Sequence, residues 1–210
     1  MISWDYQLLH LINREWSHPF LDYWMPAISA VDSWMPLFII ALLVVLWKGR
    51  LRGVVFIVSL AVALGVGDGL VSRHLKVMVG RERPACSTEG LLERDLGKAI
   101  PGWKRFFEPL RIVPTRLRPG FRTNSFPSSH AINMFAVATI TALFHRRWGA
   151  FAYVLAVIVA YSRLYCAAHW PSDVIPSMGL GILIGLVVGT GVPKLAGLGV
   201  AWLRLRSGRS

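Results

Sequence analysis

The chain has 210 residues, enough for one domain or at most two small ones, and 54% of them are apolar while only 16% are charged. That balance excludes an ordinary soluble domain and describes a membrane-embedded protein. The net charge of +12 invites a nucleic-acid reading, but the basic residues gather at the ends of apolar runs, as in membrane proteins. No zinc-finger, RRM or basic-helix signature is present, so no nucleic acid is expected as a partner.

Residues 3–14 set Trp4, Leu8, Leu11 and Ile12 at helical spacing with polar residues between them, which predicts an interfacial amphipathic helix rather than a span. Residues 19–31, interrupted by Asp22 and Pro26, are too short to cross and predict a re-entrant or surface helix. The opening thirty residues lack a basic head followed by a clean apolar core, so no cleavable signal peptide is expected. A first span runs from about Trp34 to Trp47 and closes on Lys48, Arg50 and Arg52. Its apolar part falls short of the ~20 residues a bilayer core needs, so the helix must reach back toward Ala30 or the bilayer must thin. The second span, Gly53 to about Met78, carries Asp68, His74 and Lys76 on its later half. Asp68, flanked by Gly67 and Gly69, is either functional or satisfied by a neighbouring helix.

A polar, proline-rich loop occupies residues 80–124, with an aromatic and basic patch at Trp103–Phe107 suited to a headgroup surface. Three further spans follow: Ala131–Phe144, closed by His145, Arg146 and Arg147; Gly149–Tyr161; and Val174–Val192. Gly181, Gly185 and Gly189 recur every four residues in the last and predict a close helix-packing seam. The fold class expected is all-α: a polytopic membrane helix bundle of five or six transmembrane helices plus an N-terminal interfacial helix. Residues 1–33 would be interfacial or re-entrant, and residues 34–210 the membrane domain with its 80–124 loop. With five spans, Lys48, Arg50, Arg52, Arg146, Arg147 and the basic C-terminus share one side, which the bias of short loops makes cytoplasmic. The 80–124 loop and the region of His169 then face the outside, the periplasmic side of an inner membrane.

Three polar stretches fall on that outer face. Lys76 and Arg83 are seven residues apart, two helical turns, so both cations can reach one point. Ser125-Phe126-Pro127-Ser128-Ser129-His130 opens the third span. Ser162 to Asp173 joins the last two, and Pro171 places His169 just ahead of the final helix with Asp173 near its N-terminal end. There the carboxylate can accept a hydrogen bond from one imidazole nitrogen and leave the other more nucleophilic. Fixed cations, a hydroxyl, helix N-terminal N–H groups, two histidines and an aspartate form a site for a phosphate undergoing transfer. Nothing here has the pattern of a two-metal carboxylate site.

These residues resemble the type 2 phosphatidic acid phosphatase family, whose motifs are K-x6-R-P, P-S-G-H and S-R-x5-H-x3-D. Lys76 to Arg83-Pro84 matches the first and Ser162-Arg163 to His169 to Asp173 the third, while Pro127-Ser128-Ser129-His130 matches the second with Ser129 in place of glycine. The resemblance implies a membrane lipid phosphatase without metal or other cofactor. It makes His169 the nucleophile that becomes a phosphohistidine, Asp173 its orienting partner, and His130 the general acid and later base. Lys76, Arg83, Arg163, Ser128 and Ser129 would bind the phosphate.

Undecaprenyl diphosphate is the first expected substrate. Phosphatidylglycerophosphate, phosphatidic acid, diacylglycerol diphosphate and the 1-phosphate of lipid A are its competitors. Transfer to an acceptor lipid, and a non-catalytic scaffold or transporter, are the rival functions. Arg81 reads as a headgroup contact or a solvated charge, and His74 and His145 as interfacial residues. Cys86 and Cys166 are too few for a metal framework, and whether they pair is left open, as is the oligomeric state.

Overall fold

The computed structural model describes residues 3–118 and 124–207. Its helices are α1 (Ser3–His10), α2 (Pro19–Ser29), α3 (Met35–Leu64), α4 (Arg73–Val79), α5 (Pro84–Ser87), α6 (Ser129–Phe144), α7 (Arg146–Tyr165) and α8 (Pro171–Ser207). Among the described residues three helical runs are long and apolar enough to cross a membrane: Val31–Val79, Arg146–Tyr165 and Pro171–Leu198. The 49 residues of the first would measure roughly 70 Å as one rod, far more than the ~30 Å of a hydrocarbon core. It is not one rod, because Arg50 takes φ 48° and ψ −140° and breaks α3 into two limbs. The limbs fold onto each other closely enough that a Cβ on Gly53 would lie 2.5 Å from the Val45 carbonyl oxygen. Leu37, Ile39, Ile40 and Leu43 on the first limb are exposed, an apolar surface whose natural solvent is lipid.

The short α6 is the centre of the bundle. Its Ile132, Ala136 and Ile140 are buried against Phe56 and Ala63 of α3 and Ile184 and Val188 of α8, while Ala131, Phe135 and Ala138 pack toward Ala156 and Ala160 of α7. At 16 residues α6 is shorter than the bilayer-crossing runs; neighbouring helices, not lipid, cover most of it. The glycine seam is real and faces α6. A Cβ on Gly185 would stand 2.6 Å from Thr139 Cβ, and one on Gly181 would stand 2.8 Å from Phe135 Cβ.

The described residues are mostly helical, as the all-α bundle requires, and the 80–124 loop adds one small hairpin. Strands β1 (Leu92–Leu96) and β2 (Leu110–Pro114) pair antiparallel, Arg94 opposite Ile112. Strand alternation points Arg94 and Leu96 inward and leaves Glu93 and Asp95 on the other face. Residues 119–123 of that loop lie outside the described residues. A correction concerns α1. Of the expected stripe only Ile12 is buried, while Trp4 is exposed and Leu8 and Leu11 half-buried; the buried residues of α1 and the π-helical turn after it are Asp5, Leu9, Ile12 and Asn13. Asp5 and Asn13 turn inward because each finds partners there: Asn13 Nδ2 donates to the carbonyls of Leu92 (2.8 Å) and Tyr165 (2.7 Å). At the opposite end of the bundle Arg52 donates to the Phe144 carbonyl and Phe56 meets the edge of His145, so the basic loops of residues 48–52 and 145–147 adjoin.

Candidate active site

Each of the three polar stretches is shaped by a local stop signal. Helix α4 ends because Gly80 is left-handed (φ 59°), its N–H donating to the Lys76 carbonyl. Arg83 lies beyond that turn on extended backbone (φ −73°, ψ 148°), so Lys76 and Arg83 converge through a chain reversal rather than along two helical turns. Ser128 caps α6, its hydroxyl accepting from Ala131 N at 3.5 Å. Ser129, which replaces the family glycine, uses its hydroxyl: Lys76 Nζ donates to it at 2.8 Å and Ser72 Oγ lies 2.6 Å away. The substitution therefore anchors the lysine. Ser29 at the end of α2 supplies two further contacts, since Arg163 Nη1 donates to its hydroxyl and His130 Nε2 lies 3.2 Å from its carbonyl.

The turn between α7 and α8 presents His169. Ala167 is left-handed (φ 55°), and the N–H groups of Ala168 and His169 both fold back on the Arg163 carbonyl. A non-glycine residue there costs about 1–3 kcal/mol and is held by its surroundings, here the Ala85 N–H donating to the Ala167 carbonyl. Pro171 opens α8 and Asp173 reaches back to accept the Trp170 N–H at 2.9 Å, one of the two bonds of a capping box. The same carboxylate accepts Ser125 Oγ (2.5 Å) and Arg81 Nη1 (2.7 Å). The expected hydrogen bond from His169 to Asp173 is thus absent among the described residues, and His169 Nδ1 is buried without a hydrogen-bond partner. Asp173 supports the turn that carries the histidine rather than touching its ring.

Arg81 holds this corner together. It donates to Asp173, to Ser172 Oγ (2.6 Å) and to Asp5 (2.5 Å), and it stacks 5.5 Å from the Trp170 ring. Asp5 in turn accepts the Ser172 N–H at 2.9 Å. Neither Arg81's pairing nor Asp5 was visible in the sequence. Arg81 sits inside the first motif, but only the fold brings Asp5, 76 residues away, to meet it.

Hydrogen bonds join the three stretches: Lys76 to Ser129, Ser125 to Asp173, and the Ala85 N–H to the Ala167 carbonyl. Burial, then the charges of Arg163, Arg83 and His130, hold the His169 ring neutral well below its ordinary range, with only the Ser125 backbone opposing. Burial also lowers Arg83, opposed by Cys86, Glu93 and Asp173. Lys76 feels the charges of Arg83 and Arg163. Among the described residues no ion pair neutralises Lys76, Arg83 or Arg163. Arg83 Nε and Arg163 Nε, like His169 Nδ1, are buried without acceptors. Buried donors are ordinarily satisfied, so this cluster is built to receive an anion. Arg83, His130 and Arg163 line a cavity of about 560 Å³ whose wall includes Ser29 and Cys166. Burial pushes the Cys166 thiol up to about 12, and neither it nor the buried Cys86 is in a disulfide. No group of three or more His, Cys, Asp or Glu able to hold a metal ion occurs among the described residues.

Residues 52–196 match the model of the PAP2 superfamily, a stretch holding all three motifs. The chain belongs to that superfamily. This PAP2 phosphatase is 31% identical over 183 residues to a lipid A 4'-phosphatase of Bacteroides thetaiotaomicron, an alignment covering 84% of this chain and 72% of that protein. It is 27% identical over 155 residues to an undecaprenyl-diphosphatase of Sulfolobus acidocaldarius, covering 73% of this chain and 61% of that one. The crystal structure of Aquifex aeolicus LpxE superposes with a TM-score of 0.61 at 25% identity, covering 87% of this chain and 92% of that one. Of the remaining polar residues of the PAP2 chain, Asp68 is exposed within the π-helical turns Gly65–Ser72 and its charge acts on Lys76. His74 is exposed and bonded to the Leu70 carbonyl, and His145 lies at the far end of the bundle.

Proposed function

We propose that this PAP2 phosphatase removes phosphate from a lipid through a phosphohistidine on His169, at the outer face of a bacterial inner membrane. The observation that carries the reading is the set of unneutralised cations, Lys76, Arg83 and Arg163, beside His130 and a neutral His169. The neutral imidazole attacks phosphorus while the three cations hold the equatorial oxygens and stabilise the charge that builds there. The bond from phosphorus to the lipid oxygen breaks, and His130 gives that oxygen its proton. To give it, His130 enters the step as an imidazolium, its Nε2–H held on the Ser29 carbonyl and the transferred proton on Nδ1, a state that the bound phosphate anion favours. Water then attacks the phosphohistidine, yields a proton to His130, and inorganic phosphate leaves. Ser128 and Ser129 supply the hydroxyl and helix N-terminal contacts, Asp173 braces the turn, and no metal takes part.

Five passes, namely the two limbs of the Val31–Val79 run and α6, α7 and α8, put the basic loops inside and the site outside. The helices of residues 1–33 lie at the outer interface. The substrate is a lipid A-type phosphate, supported by the Bacteroides relative that matches most of both chains. Undecaprenyl diphosphate, supported by the Sulfolobus relative, is the second reading. The test is phosphate release by purified protein in chelator, over lipid A, undecaprenyl and glycerolipid phosphates, with His169→Ala as control. Turnover is expected from the wild type, with vanadate inhibition, and none from the variant. Full activity in His169→Ala removes the assignment.

A further inference from the structure

Between strands β1 and β2 the chain crosses over in a 3₁₀ helix, Gly102–Phe107, whose inner face is fixed to the end of the first span on the side of the phosphate site. Arg105 donates to Asp32 Oδ1 at 2.6 Å, Trp34 meets the edge of Phe106 with ring centroids 5.1 Å apart, and Tyr23 Oη donates to the Phe106 carbonyl at 2.8 Å. The backbones approach closely as well, since a Cβ on Gly102 would lie 2.7 Å from the Asp32 carbonyl oxygen. Val31–Trp34 is the first turn of the Val31–Val79 run, and the exposed apolar surface of that run begins directly after it at Met35 and Leu37. The 3₁₀ helix is therefore held at the depth where the span leaves the hydrocarbon.

Its other face is apolar and bare. Ile100 is 94% and Phe107 81% exposed, and the half-exposed Trp103 packs edge-on against Phe107. Lys104 Nζ stands 5.9 Å over the Trp103 ring. Water is a poor solvent for such a face, whereas the headgroup layer accepts aromatic rings and cations together. Residues 97–108 carry Lys98, Lys104 and Arg105 against Glu108 alone, so the face also suits anionic headgroups.

The same segment walls the way into the phosphate site. The cavity of about 560 Å³ that holds Arg83, His130 and Arg163 shares Asp32, Asp95 and Arg105 with a second of about 620 Å³, and Lys98, Ala99 and Ile100 form the rest of that second wall. The charges between the two ends neutralise one another: Arg105 pairs with Asp32 and Asp95, Arg118 with Glu93, and Arg94 with Asp22. Among the described residues Lys98 is in no ion pair. An anion coming from the tip thus meets a free cation first, a neutralised stretch next, and Arg83 with Arg163 last.

We propose that Ile100, Trp103 and Phe107 insert among the headgroups of the leaflet on the site's side, the outer one in the topology proposed above, and that a lipid phosphate enters from that leaflet past Lys98 and along the joined cavities to Arg83 and Arg163. The insertion stands on the contacts with the first span; the entry path rests on the lipid phosphatase reading as well. The occupant of the patch is the bilayer itself, because the patch adjoins the lipid-facing surface of that span and carries cations beside its rings.

Full-length protein in lipid nanodiscs, with Ile100→Cys labelled by a polarity-sensitive fluorophore, tests the insertion; unsubstituted protein treated alike gives the background from the buried Cys86 and Cys166. Quenching by lipids that carry a nitroxide near the headgroup, with protection from aqueous iodide, is expected. Quenching by iodide alone overturns the insertion. Protection from both quenchers in a particle of two chains gives the patch to a second copy and overturns it too. The path is tested with Ile100→Ser/Phe107→Ser, a change at two exposed positions that leaves the core untouched. On long-chain phosphatidic acid in bilayers KM should rise by about tenfold, the order set by one lost apolar anchor, with kcat unchanged. On a short-chain, water-soluble phosphatidic acid kcat/KM should change by less than about twofold. Lys98→Gln should raise KM on both by about threefold at low salt and by less at high salt. Equal losses on the two substrates from the double variant, no loss on either, or no effect of Lys98→Gln overturns the path. A wild type that turns over neither substrate overturns the phosphatase reading and the path resting on it, while the fluorescence alone decides the insertion.

Discussion

Replacing Arg81 with alanine isolates the part of the site that lies outside the phosphate contacts. It leaves Asp5 and Asp173, both fully buried, without their shared cation. Removing one partner of a buried ion pair ordinarily costs about 3–5 kcal/mol. Two features reduce that here. The Arg81 side chain is 26% exposed, and each carboxylate keeps two other donors: Ser172 N and Oγ for Asp5, Ser125 Oγ and Trp170 N for Asp173. The expected loss is therefore about 2–3 kcal/mol, or roughly 4–12 °C in the melting temperature of a chain this size. Because Arg81 braces Trp170 and Ser172 on either side of Pro171, the turn carrying His169 loosens, and a displacement near 1 Å costs about a hundredfold in rate. Thermal unfolding in detergent and phosphate-release kinetics should show a lower Tm, kcat reduced by about tenfold to a hundredfold, and KM changed by less than about threefold. Arg81→Lys should recover part of the Tm and little of the kcat, since an ammonium lacks the planar fork that spans Asp5, Ser172 and Asp173. An unchanged Tm with unchanged kcat refutes the brace, and a change confined to KM makes Arg81 a substrate contact instead.

The depressed His169 has a signature in stability. The unfolded ring takes up a proton near pH 6.5 while the folded one stays neutral, so the contribution is complete above that pH and is lost as pH falls below it. The slope approaches about 1.4 kcal/mol per pH unit; His169→Gln should flatten the acid limb of an unfolding series, and an identical limb contradicts the burial argument. In the α6–α8 seam, Gly181→Ala meets Phe135 and the Ile132 carbonyl and should cost about 1–3 kcal/mol. Gly179→Ala, with open space around it, should be neutral or stabilising by up to about 1 kcal/mol; equal melting temperatures for the two variants contradict the seam. Cys166, buried with its thiol pushed up to about 12, should resist maleimide at pH 8 until the protein is denatured. Mass spectrometry reads this directly, and rapid labelling of the native protein contradicts it.

The motif residues were legible because their chemistry fixes both residue type and short spacing. Pro171 and Gly80 then give away the helix boundaries that present His169 and end the Lys76 helix. The small-residue face of α8 was equally plain, since close approach admits no side chain. What stayed hidden depends on contacts between distant segments. Asp5 on α1 looks like a solvated charge until Arg81 and Ser172 arrive, and Asn13 looks like a break in an apolar stripe until Leu92 and Tyr165 accept from it. Those partners are why the buried face of α1 is not its most apolar one. The role expected of Asp173 was altered for the same reason: three donors from three segments occupy its oxygens before His169 can.

The superfamily match begins at residue 52, yet the phosphate-binding corner is closed by residues ahead of it. Ser29 bridges Arg163 and His130, Asp5 completes the pairing of Arg81, and Asp22 accepts Tyr165 Oη (2.6 Å) and forms an ion pair with Arg94, whose Nε lies 2.7 Å away. Through Arg94, which also donates to the Tyr165 carbonyl and stacks on its ring, the N-terminal helices clamp the end of α7 to strand β1. Tyr165 lies two residues beyond Arg163 and four before His169, so that clamp sets where both groups begin. The motifs supply the groups that meet phosphate, and helices α1 and α2, although too short to span, fix the distances between them. The same hairpin carries Glu93 and Asp95 on its opposite face, so one strand joins the framework of the phosphate site to the wall of the adjoining cavity.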